Sequence, residues 1–215
     1  MTTAIIGAGK IGGRVATLLA RGGQDVLVAD RDDKKSKALA HEIGRHAKAT
    51  GIKDAMTKAD VVVLAVSYDA IKDVIAQNAD ALGSKIVVDP SNAIAPDGKG
   101  GFVKQLPAEQ SAGQVNAALM PSGARLVKAF GSLRAETLTK GANRKPEKAV
   151  MFYAADDASA GDAVADLIKA AGYEPMSIGS VDKSSRIEVA GDLHEMGKLG
   201  KLVSHDEAKA ALAKS

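Results

Sequence analysis

Along this chain, short apolar runs alternate with stretches whose apolar residues return every three or four positions. Thr2–Ile6 is a β-branched run that ends at Gly7. Ile11, Val15, Leu18 and Leu19 follow at helical spacing, and Gly22-Gly23 stop that helix. Asp25–Ala29 is a second apolar run, and Asp33–His46 reads as a Lys- and Ala-rich helix. Asp60–Val66 is an unbroken apolar run, as expected of a strand covered on both faces. A helix over Asp69–Asn78 and a buried strand over Lys85–Val88, closed by Asp89-Pro90, complete this half. Strand and helix alternating at this interval predict parallel βαβ units.

After Asn92 the alternation breaks. Ala93–Leu106 contains Pro96, Gly98, Gly100 and Gly101 and reads as an ordered loop, followed by a short helix over Ser111–Leu119. Ser111 and Gln114 have the spacing of a capping box. Arg125–Phe130 and Lys148–Ala154 are then expected strands. Ala160, Val164, Leu167, Ile168 and Ala171 form a helical stripe, and Glu174–Ile178 is a last strand. Val181–Leu193 shows no decisive period. His205–Lys214 is a terminal helix with Ser204 as its cap and Glu207 at its third position. The expected fold class is α/β: a Rossmann-like, doubly wound, mostly parallel sheet with a C-terminal extension. Residues 1–180 form the nucleotide-binding domain, and residues 181–215 are a helical extension packed on it.

Composition narrows the function classes. The 215 residues allow one or two domains at the usual size of roughly 150. With no Cys, disulfides, thiolate metal sites and thiol nucleophiles are excluded. Aromatics are 3% with no Trp, which argues against a stacking platform for single-stranded nucleic acid. The formal net charge is +3, with basic and acidic residues interleaved as at Arg31-Asp32-Asp33-Lys34-Lys35. That is a solvated face and not a nucleic-acid stripe. No apolar run is long enough to span a membrane, and the N-terminus has no signal-peptide pattern, so a cytoplasmic location is expected. No metal constellation is present.

The chemistry concentrates at Gly7-Ala8-Gly9-Lys10-Ile11-Gly12, a G-x-G-x-x-G placed directly after a strand and opening a helix. Gly7 permits the tight turn, Gly9 lets backbone approach a pyrophosphate, and Gly12 lets helix and strand pack closely. The amides near Lys10, Ile11 and Gly12 then face the diphosphate. Asp30 closes the second strand 18 residues after Gly12, where an acid accepts hydrogen bonds from ribose hydroxyls. Arg31 and Lys35 follow and could instead meet a 2′-phosphate. The pattern alone leaves NADP and NAD both open. Ligands of open α/β sheets lie beyond the carboxyl ends of the strands. Ala65, Val66 and Ser67 are therefore expected beside the ribose and nicotinamide. Asp89, Pro90, Ser91 and Asn92, with Phe130, Gly131 and Ser132, are expected to line the substrate pocket. The plainer reading of each strand end is ordinary turn chemistry.

Other patterns carry less. Tyr68 and Lys72 match the Y-x-x-x-K pair of short-chain dehydrogenases, but that pair belongs late in its fold and with a different glycine spacing, so coincidence explains it. His41 and His46 are five apart and cannot share a helix face as ligands. His194-Glu195, near Asp192, reads as structural. No residue is assigned a catalytic role.

The glycine fingerprint, Asp89-Pro90-Ser91-Asn92, Val127-Lys128-Ala129-Phe130 followed by Ala135-Glu136-Thr137-Leu138, and Arg186-Ile187-Glu188 with Gly191-Asp192-Leu193-His194 extend over essentially the whole chain. Together they resemble the deazaflavin (coenzyme F420)-dependent NADP oxidoreductases and their bacterial dinucleotide-binding relatives. The resemblance implies hydride transfer between NADP(H) and a deazaflavin or flavin-like co-substrate. It also implies a 2′-phosphate met by a small polar residue and an Arg after the second strand. Arg31 fits that pattern, and Asp30 stands in the small residue's place.

The chemistry agrees with these residues, because passing a hydride to a flavin-type ring needs alignment more than a protein acid or base. The alternatives are an NAD(P)H-dependent reductase of a small imine or carbonyl compound and a non-catalytic dinucleotide-sensing module. A hydroxyacid dehydrogenase fits less well, since it needs a positioned Lys or His and a large helical domain. The expected partner is a small-molecule hydride acceptor or donor, with neither nucleic acid nor membrane. A homodimer, if one forms, is expected to use the glycine-rich insertion and the terminal helix.

Overall fold

The computed structural model describes residues 1–214. Its first half is a run of βα units: β1 (Thr3–Ile6), α1 (Lys10–Arg21), β2 (Val26–Ala29), α2 (Asp33–Ile43), β3 (Ala47–Ala49), α3 (Ile52–Lys58), β4 (Val61–Leu64), α4 (Tyr68–Gln77), α5 (Ala79–Leu82) and β5 (Ile86–Asp89). A two-stranded excursion follows, β6 (Ile94–Pro96) and β7 (Phe102–Lys104), and then α6 (Ala112–Ala118). The sheet resumes with β8 (Arg125–Lys128), α7 (Ala135–Gly141), β9 (Val150–Ala155), α8 (Ala158–Ala170) and β10 (Glu174–Ser177). A 3-10 segment (Val181–Ile187) and α9 (His205–Leu212) end the chain's regular structure.

The strand order is β10-β9-β8-β5-β4-β1-β2-β3. The six strands from β8 to β3 are mutually parallel, β9 runs antiparallel to β8, and β10 is parallel to β9. This is the doubly wound α/β architecture, with its direction of winding reversing between β1 and β4. Crevices at that reversal are where such sheets bind ligands.

The unbroken apolar runs have a simple cause. Along β1, β4 and β5 every residue is buried, because both sheet faces are covered. Ile5, Val63 and Val88 point to the layer formed by α1 and α8, where they meet Val15, Leu19, Leu167 and Ile168. Ala4, Ile6, Val62, Leu64 and Val87 point the other way, onto Met56 of α3, Ile71 and Ile75 of α4, and Leu82 of α5. The C-terminal stretch covers the outer strands: Ile187, Leu193, Val203 and Ala208 pack on Val150, Phe152 and Ala154 of β9. Among the described residues no helix is long and apolar enough to cross a membrane.

Several elements differ from the sequence reading. The helix expected over 33–46 stops at Ile43, where Gly44 takes φ 86°, and residues 47–58 hold an edge strand and a short helix that no period announced. An edge strand reading Ala-Lys-Ala has almost no apolar signal to detect. The loop of 93–106 contains the β6–β7 hairpin, whose second strand is wholly exposed. Both expected capping boxes form, at Ser111 with Gln114 and at Ser204 with Glu207. The terminal helix ends at Leu212.

Candidate nucleotide-binding and reaction site

The glycine corner is built by close backbone approach. Gly7 has φ 105°, and a Cβ there would lie 2.3 Å from the Ala65 carbonyl oxygen. A Cβ on Gly12 would lie 1.9 Å from the Gly7 carbonyl oxygen, so α1 can start only if that position is bare. Gly9, the N-cap of α1, is different. Its backbone is ordinary and extended (φ −79°, ψ −166°), and a Cβ there would meet nothing within 4 Å. The space above Gly9 is an open cradle. The first helical bond is donated by the Gly13 amide to the Gly9 carbonyl, at 2.8 Å. The amides of Lys10, Ile11 and Gly12 therefore precede the helical ladder and need partners from outside it. With the positive end of the helix dipole behind them, they suit a diphosphate.

Asp30 sits beside this cradle. Its carboxylate accepts from the Ala8 amide at 2.7 Å and from the Asp32 amide at 2.9 Å, tying the glycine loop to the β2–α2 turn. Arg31 and Lys35 are exposed on the outer side of that turn. Ala65 and Val66 are partly buried and Ser67 is exposed, at the end of β4 next to the corner. An Asp30→Ser variant is expected to shift preference toward NADPH over NADH by about tenfold, since it removes a charge beside the 2′-position. It should also cost about 1 kcal/mol of stability for the two lost amide bonds. Paired titrations with both nucleotides test the first effect, and an unchanged ratio contradicts it.

Beyond the ends of β5 and β8 lies a buried charged cluster. The Lys128 ammonium donates to Asp89 Oδ2 at 2.9 Å and to the Ser91 carbonyl, and stands 3.5 Å from Glu188 Oε1. Asp89 also accepts from the Ser91 amide at 2.7 Å and from Asn116 Nδ2 at 2.9 Å. Glu188 accepts from the amides of Ala112 and Gly113 at 3.0 and 2.9 Å. Burial pushes the Asp89 carboxyl up, but the Lys128 charge and the hydrogen bonds from Ser91, Asn116 and Lys128 outweigh it. They hold the carboxyl below its ordinary value. Of these three, only Asp89 belongs to a strand end that the sequence places at the substrate pocket; Lys128 and Glu188 carry no role in the sequence reading. Lys128 and Glu188 stand in the stretches that carried the resemblance, but nothing local joins residues so far apart in the chain.

The residues expected around the substrate are placed as follows. Pro90 and Ser91 are buried, as are Phe130, Gly131 and Ser132. Phe130 takes φ 63°, and Gly131 packs so tightly that a Cβ would lie 2.6 Å from the Pro90 carbonyl oxygen. Asn92 is partly exposed. Its Nδ2 donates to the Gly131 carbonyl at 3.0 Å, and its Oδ1 accepts from the Val189 amide at 2.7 Å. Asn92 thereby clasps the end of β5 to the C-terminal stretch. It also borders a cleft of about 260 Å³ shared with Ile94, Lys104, Glu188 and Val189.

His194 is locked from both sides. Its Nδ1 accepts from the Met196 amide at 2.9 Å, which leaves Nε2 to carry the proton donated to the Gly131 carbonyl at 3.1 Å. Burial pushes its pKa down, against the upward pull of the Gly131 carbonyl and Glu195. The folded site therefore refuses a proton that the unfolded imidazole accepts below about pH 6.5. Stability attributable to this group is full above that pH and falls as pH drops below it, by at most about 1.4 kcal/mol per pH unit. Urea midpoints at pH 7.5 and 5.5, compared with those of His194→Asn, should show a larger acid loss in the wild type. Equal losses contradict the assignment. Glu195 next to it accepts from the amide and Nε of Arg134 at 2.9 and 2.7 Å, anchoring the start of α7.

The winding reversal and the bare corner at Gly7–Gly12 define a Rossmann-type dinucleotide-binding protein. Residues 2–93 match the family model described as NADP oxidoreductase, coenzyme F420-dependent. A Sinorhizobium meliloti protein described only as hypothetical is 31% identical, aligned over 96% of each chain with a TM-score of 0.84. Over residues 2–93 the chain is thus similar to the coenzyme F420-dependent NADP oxidoreductases, and it is an NAD(P)-dependent oxidoreductase. A candidate F420-dependent NADP-reductase of Arthrobacter sp. FB24 has the same fold at 24% identity, with a TM-score of 0.74 over 86% of this chain and 87% of its own. The pyrroline-5-carboxylate reductase of Coxiella burnetii shares the fold more distantly, at 18% identity with a TM-score of 0.60. The match spans 86% of this chain and 61% of that one.

Proposed function

We propose that this protein transfers a hydride between NADP(H) and a planar deazaflavin- or flavin-type ring. With the diphosphate held at the corner, the reduced nicotinamide would supply the hydride. The residues that would hold the nucleotide are Lys10, Ile11 and Gly12 through their amides, Asp30 and Arg31 at the adenosine ribose, and Ala65, Val66 and Ser67 beside the nicotinamide.

The observation that carries the reading is the state of the polar groups at the reacting end. Asp89, Lys128, Glu188 and His194 are each bound within the protein, and the cleft that Glu188 borders sets Ala93, Ile94 and Val189 beside Asn92, Lys104 and Ser185. Such a surface aligns a flat acceptor and excludes water, and alignment is the larger part of what ring-to-ring hydride transfer requires. A carbonyl reducer would instead need a strong general acid aimed at a developing alkoxide.

The test follows NADPH oxidation at its near-ultraviolet band with a deazaflavin, flavins, cyclic imines and carbonyl compounds in turn. Turnover with the deazaflavin or a flavin is the expected result. Turnover confined to imines or carbonyls overturns the choice of acceptor, and tight nucleotide binding without any turnover overturns the enzymatic reading.

A further inference from the structure

Packing does not explain the β6–β7 hairpin, because β7 buries none of its three residues. What the hairpin does place is Lys104. In the antiparallel register Lys104 stands opposite Ile94, and residues directly opposite share one face of the sheet. Both line the cleft, facing Ser185, Glu188 and Val189 of the C-terminal stretch.

The Lys104 ammonium is held in place. It donates to the Ala108 carbonyl at 3.1 Å and to the Gln110 carbonyl at 2.6 Å. An ammonium has three donors, so one remains. Among the described residues no carboxylate pairs with it. Carbonyl oxygens fix the direction of the head without cancelling its charge. A lysine on an open surface gives up rotamer freedom when it meets a partner, and here much of that freedom is lost on folding. The other charged residue of the cleft, Glu188, is answered within the protein by the Ala112 and Gly113 amides and by the Lys128 ammonium 3.5 Å away. Glu188 is buried and Lys104 is exposed, which gives the cleft a polarity. An anion is repelled at the inner end and attracted at the hairpin. The Ser185 hydroxyl, with no partner among the described residues, lines the same cleft and adds a neutral donor.

We propose that Lys104 selects acceptors that carry an anionic side chain, pairing with that group while the neutral ring lies against Ile94 and Val189. The inference rests on the hydride-transfer reading above and adds to it the charge and the orientation of the acceptor. Lys104 binds and orients, and takes no part in the hydride step.

The experiment uses the full-length protein loaded with NADP and four ligands: riboflavin, its 5′-phosphate, and the 5-deaza analogue of each. Fluorescence polarisation of the ligands reports binding without turnover. The readout is the ratio of affinities between the phosphorylated and unphosphorylated member of each pair. In the wild type the phosphorylated member should bind about tenfold tighter. The ratio should shrink in about 0.5 M salt, where an ion pair at an exposed lysine is screened. Lys104→Met, which keeps the aliphatic stem, should bring the ratio close to one, and Lys104→Arg should restore most of it. A variant that merely loosened the loop of residues 105–110 would weaken all four ligands together and keep the ratio. A wild-type ratio near one, or a ratio that survives Lys104→Met, overturns the inference and leaves the function standing. If neither ring binds or is reduced, with or without its phosphate, the hydride-transfer reading fails and the inference fails with it.

Discussion

Replacing Gly9 by aspartate is expected to abolish nucleotide binding while leaving the folded protein as stable as before. Gly9 has a backbone that any residue adopts, and its missing side chain opens on empty space, so the fold has no stake in its being glycine. The nucleotide has. A carboxylate there projects into the volume that phosphate oxygens need, and two like charges near 4 Å repel by about 4 kcal/mol at an effective dielectric constant of 20. That is a loss of about 10³-fold in affinity. Calorimetric titration with NADPH measures it, and a melting curve checks the fold. Gly12→Ala is the contrasting variant. Its Cβ would run into the Gly7 carbonyl, so it should lose about 1–3 kcal/mol of stability or more whether or not nucleotide is present. If Gly9→Asp binds NADPH as the wild type does, the corner is not the nucleotide site.

Replacing Lys128 by methionine should be the most destabilising single change at the reacting end. The side chain is buried, and methionine fills most of its volume, so the main loss is charge. Asp89 and Glu188 would be left facing each other's field with no cation between them. Breaking a buried pair by removing one partner costs about 3–5 kcal/mol, because the remaining charge stays desolvated. Urea unfolding reads the effect directly. A triple variant that adds Asp89→Asn and Glu188→Gln should recover part of the loss, since it removes the stranded charge while the glutamine can accept from only one of the Ala112 and Gly113 amides. A Lys128→Met protein as stable as the wild type would mean that the cluster holds a proton in place of the lysine's charge.

The central strands and the glycine corner were legible in the sequence, and the reason is physical. A parallel strand covered on both faces must be apolar at every position, as Val61–Leu64 is, and a helix cannot start 1.9 Å from a carbonyl unless its residue there is glycine. Such demands leave a local trace. The edge strand Ala47–Ala49 leaves none, because an edge needs little burial, and the β6–β7 hairpin is hidden because its second strand buries nothing. The reacting end was read least completely. Asn92 clasps Gly131 and Val189, and Lys128 joins Asp89 to Glu188, across separations of up to 97 residues that no period or motif spans.

The most direct measurement of the central claim is an amide correlation spectrum of ¹⁵N-labelled protein titrated with NADPH. The account predicts that the resonances of Lys10, Ile11 and Gly12 move furthest, because their unpartnered N–H groups receive the phosphates, with smaller shifts at Asp30–Arg31 and Ala65–Ser67. Saturable binding that leaves those three amides still, and moves residues elsewhere on the sheet, would contradict it.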